Sequence, residues 1–403
     1  MGLGLWQTRK VPADWLTVVR RPTAVMGTDC TMAAVVRTGE RLRAEQALDK
    51  AEAELRLVEA RMSIWLEASE ISRFNAAGAG EEVNLSPETL SVLRAAREAA
   101  IETKGAFDAT CGPVIQLWWA AGRRGVAPTE QETAAARGAS SWDAIELTER
   151  GAIKRSAGVR VDLGGIAKGY GIDRATQALR AAEIAGGMVD VGGDLRCFGR
   201  PPQGDRWVVE VRSPFGEGTL GELAVEEGAV CTSGNYTRFT TIEGKRYSHI
   251  IDPRTGCPAD AAPSATVVAG DALTADVWAT ALSVLGADGF DLLPREAEAL
   301  LVLGSPEDHS ICCTPGMQEL LRGPLVGSVV VWDREGWMEG GGVAPQPRHC
   351  VWSTVVSKSA WMLSGSSSSA TAARSCSVGL PTSTRRLRGH FSMAFSRAES
   401  CGS

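Results

Sequence analysis

A carboxylate and a hydroxyl group lie four residues apart at Asp276 and Thr280. On a helix this spacing brings both side chains to one face, one turn apart. Mg2+ prefers such oxygen ligands, because it takes one or two from the protein and the rest from waters and substrate phosphates. The pair therefore predicts a Mg2+ site that acts on a phosphate. An aspartate near the start of a helix is often only a favourable partner of the helix dipole, so the pair needs support from other residues.

Residues 162–169 (DLGGIAKG) read as the end of a strand, a glycine turn and the start of a helix. Asp162 closes the strand, the two glycines allow the backbone to approach a ligand, and Lys168 adds a positive charge. The free N–H groups of a helix N-terminus bind anions, so the segment favours a phosphate site. A plain strand-to-helix turn with a solvated lysine is the alternative. The segment matches neither a Walker loop nor the G-x-G-x-x-G dinucleotide motif.

Residues 247–256 (YSHIIDPRTG) place three polar side chains around a turn that contains proline and glycine. His249 has the chemistry to transfer a proton or stabilise charge, although an isolated histidine is more often a core residue bonded to backbone. Asp252 and Arg254 are interpreted as partners that hold the turn rather than as ligand contacts. Residues 190–194 (DVGGD) are interpreted as a tight turn between two strands.

Helices alternate with strands along the chain, but several strands follow one another directly. This order favours an α+β fold over a pure βαβ winding. Apolar periodicity and capping residues predict helices over 40–61, 87–103, 128–137, 167–182 and 273–285. Short apolar, β-branched segments predict strands within 22–38 and 188–198, and over 206–212, 229–233 and 264–269.

The composition excludes several classes of protein. The net charge of -6 provides no basic field for nucleic acid, and no stretch approaches the ~20 apolar residues of a membrane span. The ten cysteines show no zinc-binding spacing and read as reduced thiols. The N-terminus lacks the ~7–15 residue apolar core of a signal peptide. We therefore expect a cytoplasmic protein, with export as the alternative if the true N-terminus is missing.

The character of the sequence changes near residue 324. After Glu339 the only acidic residue is Glu399, while serine and arginine recur. Such a segment is typical of a poorly ordered appendage, and its mixture of Ser, Arg, Cys and Trp also suits translation out of frame. We predict an N-terminal extension at 1–20, one catalytic domain at 21–322 and a Ser/Arg-rich tail at 323–403.

These segments, together with others, occur in an order that resembles the ApbE family, the FAD:protein FMN transferases. The resemblance extends from about Thr23 to about Leu321. Its landmarks are Met26-Gly-Thr28, Ser63-Ile-Trp65 with Ser69-Glu-Ile71 and Asn75, Gly105-Ala-Phe-Asp108 with Gly112-Pro113, Asp162–Gly169, Val191-Gly-Gly-Asp194, Thr232-Ser-Gly-Asn-Tyr236, His249–Gly256 and Ala275–Thr280. Each landmark is short, but their common order makes the resemblance specific.

The resemblance implies an ApbE-like α+β fold with mixed or antiparallel sheets, flanking helices and FAD in a cleft. It implies that Mg2+ is held by Asp276, Thr280 and the backbone carbonyl of Gly165. It assigns to the FAD site Met26, Trp65, Ala106, Phe107, Asp108, Asp162, Lys168 and His249. Asp276 and His249 are the catalytic candidates, and Trp65 offers a stacking surface for a flavin or adenine ring.

The activity implied by the resemblance is cleavage of the FAD pyrophosphate. FMN is joined to a threonine or serine hydroxyl of a target flavoprotein, and AMP leaves. The implied partner is an acceptor protein with a Ser/Thr-Gly-Ala-Thr motif. Two alternatives stay open: a hydrolase that uses water as acceptor, and a flavin carrier without turnover, against which the presence of both Asp276 and Thr280 argues. Self-flavinylation at Thr371 is a further hypothesis, although the glycine of the motif is absent there.

Overall fold

The structure is a computed structural model that describes residues 14–201, 203–235, 239–323, 325 and 328–332. Almost all of the predicted tail, including Thr371, lies outside these residues. Within the described part, the helices are α1 (Arg41–Met62), α2 (Glu70–Ala76), α3 (Pro87–Glu102), α4 (Gly112–Arg124), α5 (Glu130–Gly138), α6 (Ala167–Ala181), α7 (Ala272–Leu285) and α8 (Pro315–Leu320). Short 3-10 helices span Thr38–Glu40, Trp142–Ala144 and Gly286–Asp291.

The strands are mostly short. In chain order they are β1 (Trp15–Arg20), β2 (Cys30–Arg37), β3 (Glu82–Asn84), β4 (Ile145–Leu147), β5 (Gly151–Lys154), β6 (Gly186–Val191), β7 (Asp194–Gly199), β8 (Trp207–Arg212), β9 (Thr219–Val225), β10 (Gly228–Gly234), β11 (Phe239–Ile242), β12 (Lys245–Ser248), β13 (Ile251–Asp252), β14 (Cys257–Pro258), β15 (Ser264–Ala269), β16 (Glu298–Gly304), β17 (His309–Cys313) and β18 (Ser328–Val331).

A nine-stranded sheet organises the described residues, in the order β1-β2-β6-β7-β10-β15-β16-β17-β18. Neighbouring strands run antiparallel except β17 and β18, which pair in parallel. The remaining strands form the hairpins β8-β9, β11-β12 and β13-β14 and the small sheet β3-β5-β4. Sheets of this mixed kind with helices packed against them confirm the predicted α+β class.

The large sheet separates two hydrophobic cores. Successive side chains of a strand point to opposite faces, so Met32, Ala34 and Val36 of β2 join the core formed with α1, α6 and α7. Ala33 and Val35 join the second core, which is closed by the β8-β9 hairpin and α8. The first core is the larger, and the helices that cover it carry the phosphate-site and metal-site candidates.

Several predicted elements are confirmed, and local signals explain them. Ser86 caps α3 by accepting the Thr89 N–H at 3.3 Å, with proline at the first helical position. Helices α1, α6 and α7 and strands β8 and β15 agree with the predicted segments to within one or two residues.

Other elements differ from the prediction. The sheet extends past both predicted domain limits, because β1 pairs with β2 along its whole length and β18 pairs with β17. Residues 112–124, which received no helix prediction, form α4. The helix begins with Gly112-Pro113, and proline in the first turn is a helix start signal.

Candidate active site

Asp276 is buried at the contact between two helices. Its side chain is on α7, the residue is 2% exposed, and its Oδ2 accepts the Gly169 N–H of α6 at 3.0 Å. The helices approach so closely that a Cβ at Gly169 would lie 2.2 Å from the Ala272 carbonyl oxygen. Only glycine at position 169 therefore permits the approach that brings the Asp276 carboxylate to the first turn of α6.

The start of α7 is fixed by two aspartates. Asp271 is its N-cap and accepts the Thr274 N–H at 2.8 Å. Asp173, from α6, accepts the N–H groups of Ala272 and Leu273 at 2.9 Å each. Because carboxylates satisfy the free N–H groups of a helix N-terminus, these bonds hold α7 in one register against α6.

Thr280 lies beside Gly165 one turn further along α7. A Cβ on Gly165 would be 3.0 Å from Thr280 Oγ1 and 3.2 Å from Cε2 of Phe107. Thr280 Oγ1 is also 3.2 Å from Ser233 Oγ. The structure thus brings together Gly165 and Thr280, which are far apart in sequence, with Asp276 on the same helix as Thr280.

These oxygen groups fit a hard cation such as Mg2+. Asp276 offers a carboxylate and Thr280 a hydroxyl, and the family resemblance adds the main-chain carbonyl of Gly165. Mg2+ completes such a set with waters and phosphates. Among the residues that the structure describes, no group of three or more His, Cys, Asp or Glu side chains could hold a metal ion. Burial raises the pKa of Asp276, while Lys168 and the Gly169 N–H oppose that rise. A bound cation would favour the charged form further.

Lys168 lies between two carboxylates. Its ammonium is hydrogen-bonded to Asp194 Oδ2, and its Nζ is 4.0 Å from Asp276 Oδ1. The side chain keeps 30% exposure, whereas that of Asp194 is 3% exposed. The alternative of a solvated lysine at the helix start is therefore wrong, because Lys168 is partly buried and forms an ion pair.

A cleft of about 340 Å3 lies between α2, α4 and the segment that ends at Asp162. Trp65 and Asp162, both predicted for the FAD site, line this cleft. Trp65 is 75% exposed and stacks on Trp119 of α4, with ring centroids 4.9 Å apart and an angle of 28° between the planes. An exposed, stacked indole pair offers a flat surface for an aromatic ring.

The cleft wall at Asp162 is held by backbone-directed hydrogen bonds. The Asn75 amide donates to the Val161 carbonyl at 2.7 Å and its oxygen accepts the Val161 N–H at 2.8 Å. Asp162 Oδ1 accepts the Gly164 N–H at 2.8 Å. Burial raises the pKa of Asp162, and this N–H opposes the rise. The carboxylate position is therefore set by the turn and by Asn75.

Met26 lies in a tight turn. Val25 and Thr28 exchange two backbone hydrogen bonds of 3.1 Å, with φ of 51° at Met26 and 72° at Gly27. The Met26 sulfur packs against Gly171 of α6, 3.3 Å from where a Cβ would lie. The turn therefore packs on α6 at Gly171, three residues after Lys168.

The segment Ala106–Asp108 lies deeper than a cleft lining. Ala106 and Phe107 are 1% and 4% exposed, and the Phe107 ring lies beside Gly165, with Cε2 3.2 Å from where a Cβ on that glycine would be. Asp108 accepts the N–H and the hydroxyl of Thr110 at 2.8 Å each. Burial raises the pKa of Asp108, and the hydrogen bonds from Thr110 oppose the rise.

The loop that follows β12 packs against α4. Trp118 Nε1 donates to the Gly256 carbonyl at 2.9 Å. The Arg254 guanidinium donates to both oxygens of Asp252 at 2.9 and 3.0 Å, so this pair holds the turn, as the sequence interpretation favoured. His249 is exposed at the start of the loop.

The sequence interpretation missed two groups at the site. Trp119 stacks on Trp65, and its helix α4 was not predicted, although Gly112-Pro113 followed by apolar residues at helical spacing signalled it. Asp194 was interpreted as a turn residue, but it binds Lys168. No local signal in the sequence connects those two residues.

The chain is similar to proteins of one family. The family model described as ApbE family matches residues 26–302. An FAD:protein FMN transferase of Vibrio cholerae is 35% identical over 230 residues, which are 56% of this chain and 69% of that protein. One of Haemophilus influenzae is 34% identical over 258 residues, 60% of this chain and 74% of that protein.

Solved structures show the same fold. The ApbE protein from Thermotoga maritima superposes with a TM-score of 0.67 at 31% identity, covering 76% of this chain and all of that one. The flavin transferase ApbE from Vibrio cholerae gives a TM-score of 0.64 at 28% identity, over 77% of this chain and all of that one. The chain belongs to the ApbE family, and the predicted ApbE-like fold is confirmed. No helix among the described residues is long and apolar enough to cross a bilayer.

Proposed function

We propose that this chain is a Mg2+-dependent enzyme that transfers FMN from FAD to a threonine or serine hydroxyl of a target flavoprotein and releases AMP. Its family and the names of its relatives make it an enzyme of the FAD:protein FMN transferase class.

One observation carries the proposal. Thr280 lies beside Gly165, although the two are far apart in sequence, and Asp276 lies one turn earlier on the same helix, where its carboxylate accepts the Gly169 N–H of α6. Asp276 is 2% exposed, and its lysine neighbour is shared with a second carboxylate. Burying a charged carboxylate in this way costs free energy, and a bound cation would offset that cost. Simple flavin binding would not need this arrangement.

The chemistry divides between the two regions of the site. Trp65 and Trp119 would hold one ring system of FAD by stacking, and the start of α6 with Lys168 would face the phosphates. The acceptor oxygen forms a bond to the FMN phosphorus, the pyrophosphate P–O bond breaks, and AMP leaves with the electron pair. Mg2+, when bound by Asp276, Thr280 and the Gly165 carbonyl, supplies charge neutralisation at the phosphates. His249 is the group that would accept the hydroxyl proton.

Release of AMP from FAD tests this proposal. The full chain is incubated with FAD, with and without Mg2+, and with and without a peptide that carries Asp-Gly-x-Ser/Thr-Gly-Ala-Thr. We expect Mg2+-dependent AMP that rises when the peptide is added. AMP that is unaffected by the peptide would favour the hydrolase, and FAD binding without AMP would favour the flavin carrier.

Replacing Trp65 by alanine is expected to weaken FAD binding. The substitution removes an exposed ring that stacks on Trp119, and we expect the Kd for FAD to rise about tenfold. Isothermal titration measures this Kd without relying on tryptophan fluorescence. Trp65→Phe, which keeps a ring, should lose much less affinity.

A matched control is Phe239→Ala, which removes another exposed aromatic side chain from a hairpin outside the cleft lining. It should leave FAD affinity unchanged. Equal FAD affinity in Trp65→Ala and the wild type would contradict the placement of an FAD ring on Trp65.

A further inference from the structure

Asp194 and Asp276 compete for one lysine. Asp194 begins β7 in the centre of the large sheet and is 2% exposed. Its Oδ1 accepts the Thr232 N–H of β10 at 2.9 Å, and its Oδ2 binds the Lys168 ammonium. The same ammonium is 4.0 Å from Asp276 Oδ1. The cation on α6 therefore has one carboxylate partner on the sheet and a second one within reach on α7.

The geometry of Asp194 makes it the fixed partner. Two neighbouring strands restrain Asp194. Its main chain pairs with Val191 of β6, and its carboxylate accepts the Thr232 N–H of β10. The Lys168 ammonium is carried on a flexible four-carbon side chain, so it can move towards the carboxylate that remains charged. A lysine ammonium that loses its partner in a partly buried site moves to the nearest remaining carboxylate, since an unpaired charge there is costly.

The charges of Asp194, Lys168 and Asp276 determine what happens when Asp194 is neutralised. Asp194, Lys168 and Asp276 together carry a net charge of about -1 when all three are ionised. If Asp194 lost its charge, Lys168 and Asp276 would neutralise each other, and a cation would have to displace the lysine to bind. If Lys168 were also removed, Asp276 would again present an uncompensated carboxylate.

We propose that Asp194 is a positioning residue that holds Lys168 away from Asp276 and so keeps the Asp276 carboxylate available to the metal. The inference rests on the proposed Mg2+ site. Among the described contacts, Asp194 bonds to Lys168 and to the Thr232 N–H, and it does not line the cleft. The inference therefore assigns a role to an aspartate outside the proposed ligand set.

Mn2+ binding by the full chain tests the inference without depending on turnover. Free Mn2+ is measured by electron paramagnetic resonance in the absence of FAD, for the wild type, Asp194→Asn, Lys168→Met and the double variant. Asparagine at 194 keeps an oxygen for the Thr232 N–H, so the change is chiefly one of charge. We expect Asp194→Asn to raise the Kd for Mn2+ about tenfold.

The double variant gives the decisive comparison. We expect it to bind Mn2+ within about threefold of the wild type, because removal of the lysine releases Asp276. Lys168→Met alone should bind Mn2+ at least as tightly as the wild type. If Asp194→Asn acted only by loosening the fold, the double variant would bind no better than the single one, and the proposal would be overturned.

Two further outcomes are informative. Unchanged Mn2+ affinity in Asp194→Asn would overturn the inference while leaving the metal site intact. Absence of Mn2+ binding by the wild type would remove the metal site and the proposed function with it. If Asp194→Asn does not fold, Lys168→Met decides alone, and weaker Mn2+ binding by that variant would contradict the proposal.

Discussion

Asp276→Asn is expected to lower Mg2+-dependent AMP release from FAD by about a thousandfold, because it removes the only charged ligand from the proposed metal site. The Kd for FAD should change little, since Trp65 and Asp162 of the cleft are untouched. The asparagine oxygen can still accept the Gly169 N–H, so the contact between α6 and α7 should persist. Single-turnover AMP release and FAD titration on the same preparation measure both quantities.

Asp271→Asn is the matched control for this variant. It removes a carboxylate from the same helix, five positions earlier, where asparagine caps a helix as well as aspartate does. We expect wild-type AMP release and wild-type dependence on Mg2+. Full Mg2+-dependent turnover in Asp276→Asn would contradict the metal role of Asp276. An equal loss of turnover in both variants would show that negative charge on α7 affects AMP release through long-range electrostatics and not as a metal ligand.

Gly169→Ala is expected to have the largest effect on stability. The new Cβ would lie 2.2 Å from the Ala272 carbonyl oxygen, 2.6 Å from its carbon and 2.8 Å from the Leu273 Cα. All three are backbone atoms of α7 and cannot turn aside, so the two helices must separate. We expect a loss of about 3 kcal/mol or more in the free energy of unfolding, measured by urea denaturation.

Gly138→Ala provides the comparison on another helix. Gly138 ends α5, and a Cβ there would meet nothing within 4 Å. Alanine should leave stability unchanged or raise it by up to about 1 kcal/mol, because alanine has the higher helix propensity. Similar unfolding free energies in both variants would show that α6 and α7 do not pack as closely as the structure places them.

The local parts of the site could be predicted from the sequence. Asp276 and Thr280 are four residues apart in a segment with helical signals, so their common face follows from helix geometry alone. The glycine turn and the helix after Asp162 likewise follow from residue types within one short segment, whereas the strand predicted to end at Asp162 is only an isolated bridge between Arg160 and Cys111. The placement of Gly165 against Thr280 came from the family resemblance, since no local rule connects positions so far apart.

The long-range contacts could not be predicted in this way. Lys168 and Asp194 are 26 residues apart, and their pairing depends on how α6 crosses the sheet. The stacking of Trp65 on Trp119 depends on α4, for which no helix was predicted. Burial of Ala106 and Phe107 also depends on tertiary packing, because small and aromatic residues suit a core and a ligand site equally.

We propose that this chain moves FMN from FAD to a hydroxyl in the presence of Mg2+. The most direct measurement is the intact mass of the acceptor peptide after incubation with the full chain and FAD, in Mg2+ and in EDTA. We expect a mass gain equal to one esterified FMN in Mg2+, none in EDTA, and none when the acceptor threonine is replaced by valine. An unmodified peptide in Mg2+, under conditions where AMP is released from FAD, would contradict transfer and leave hydrolysis as the activity.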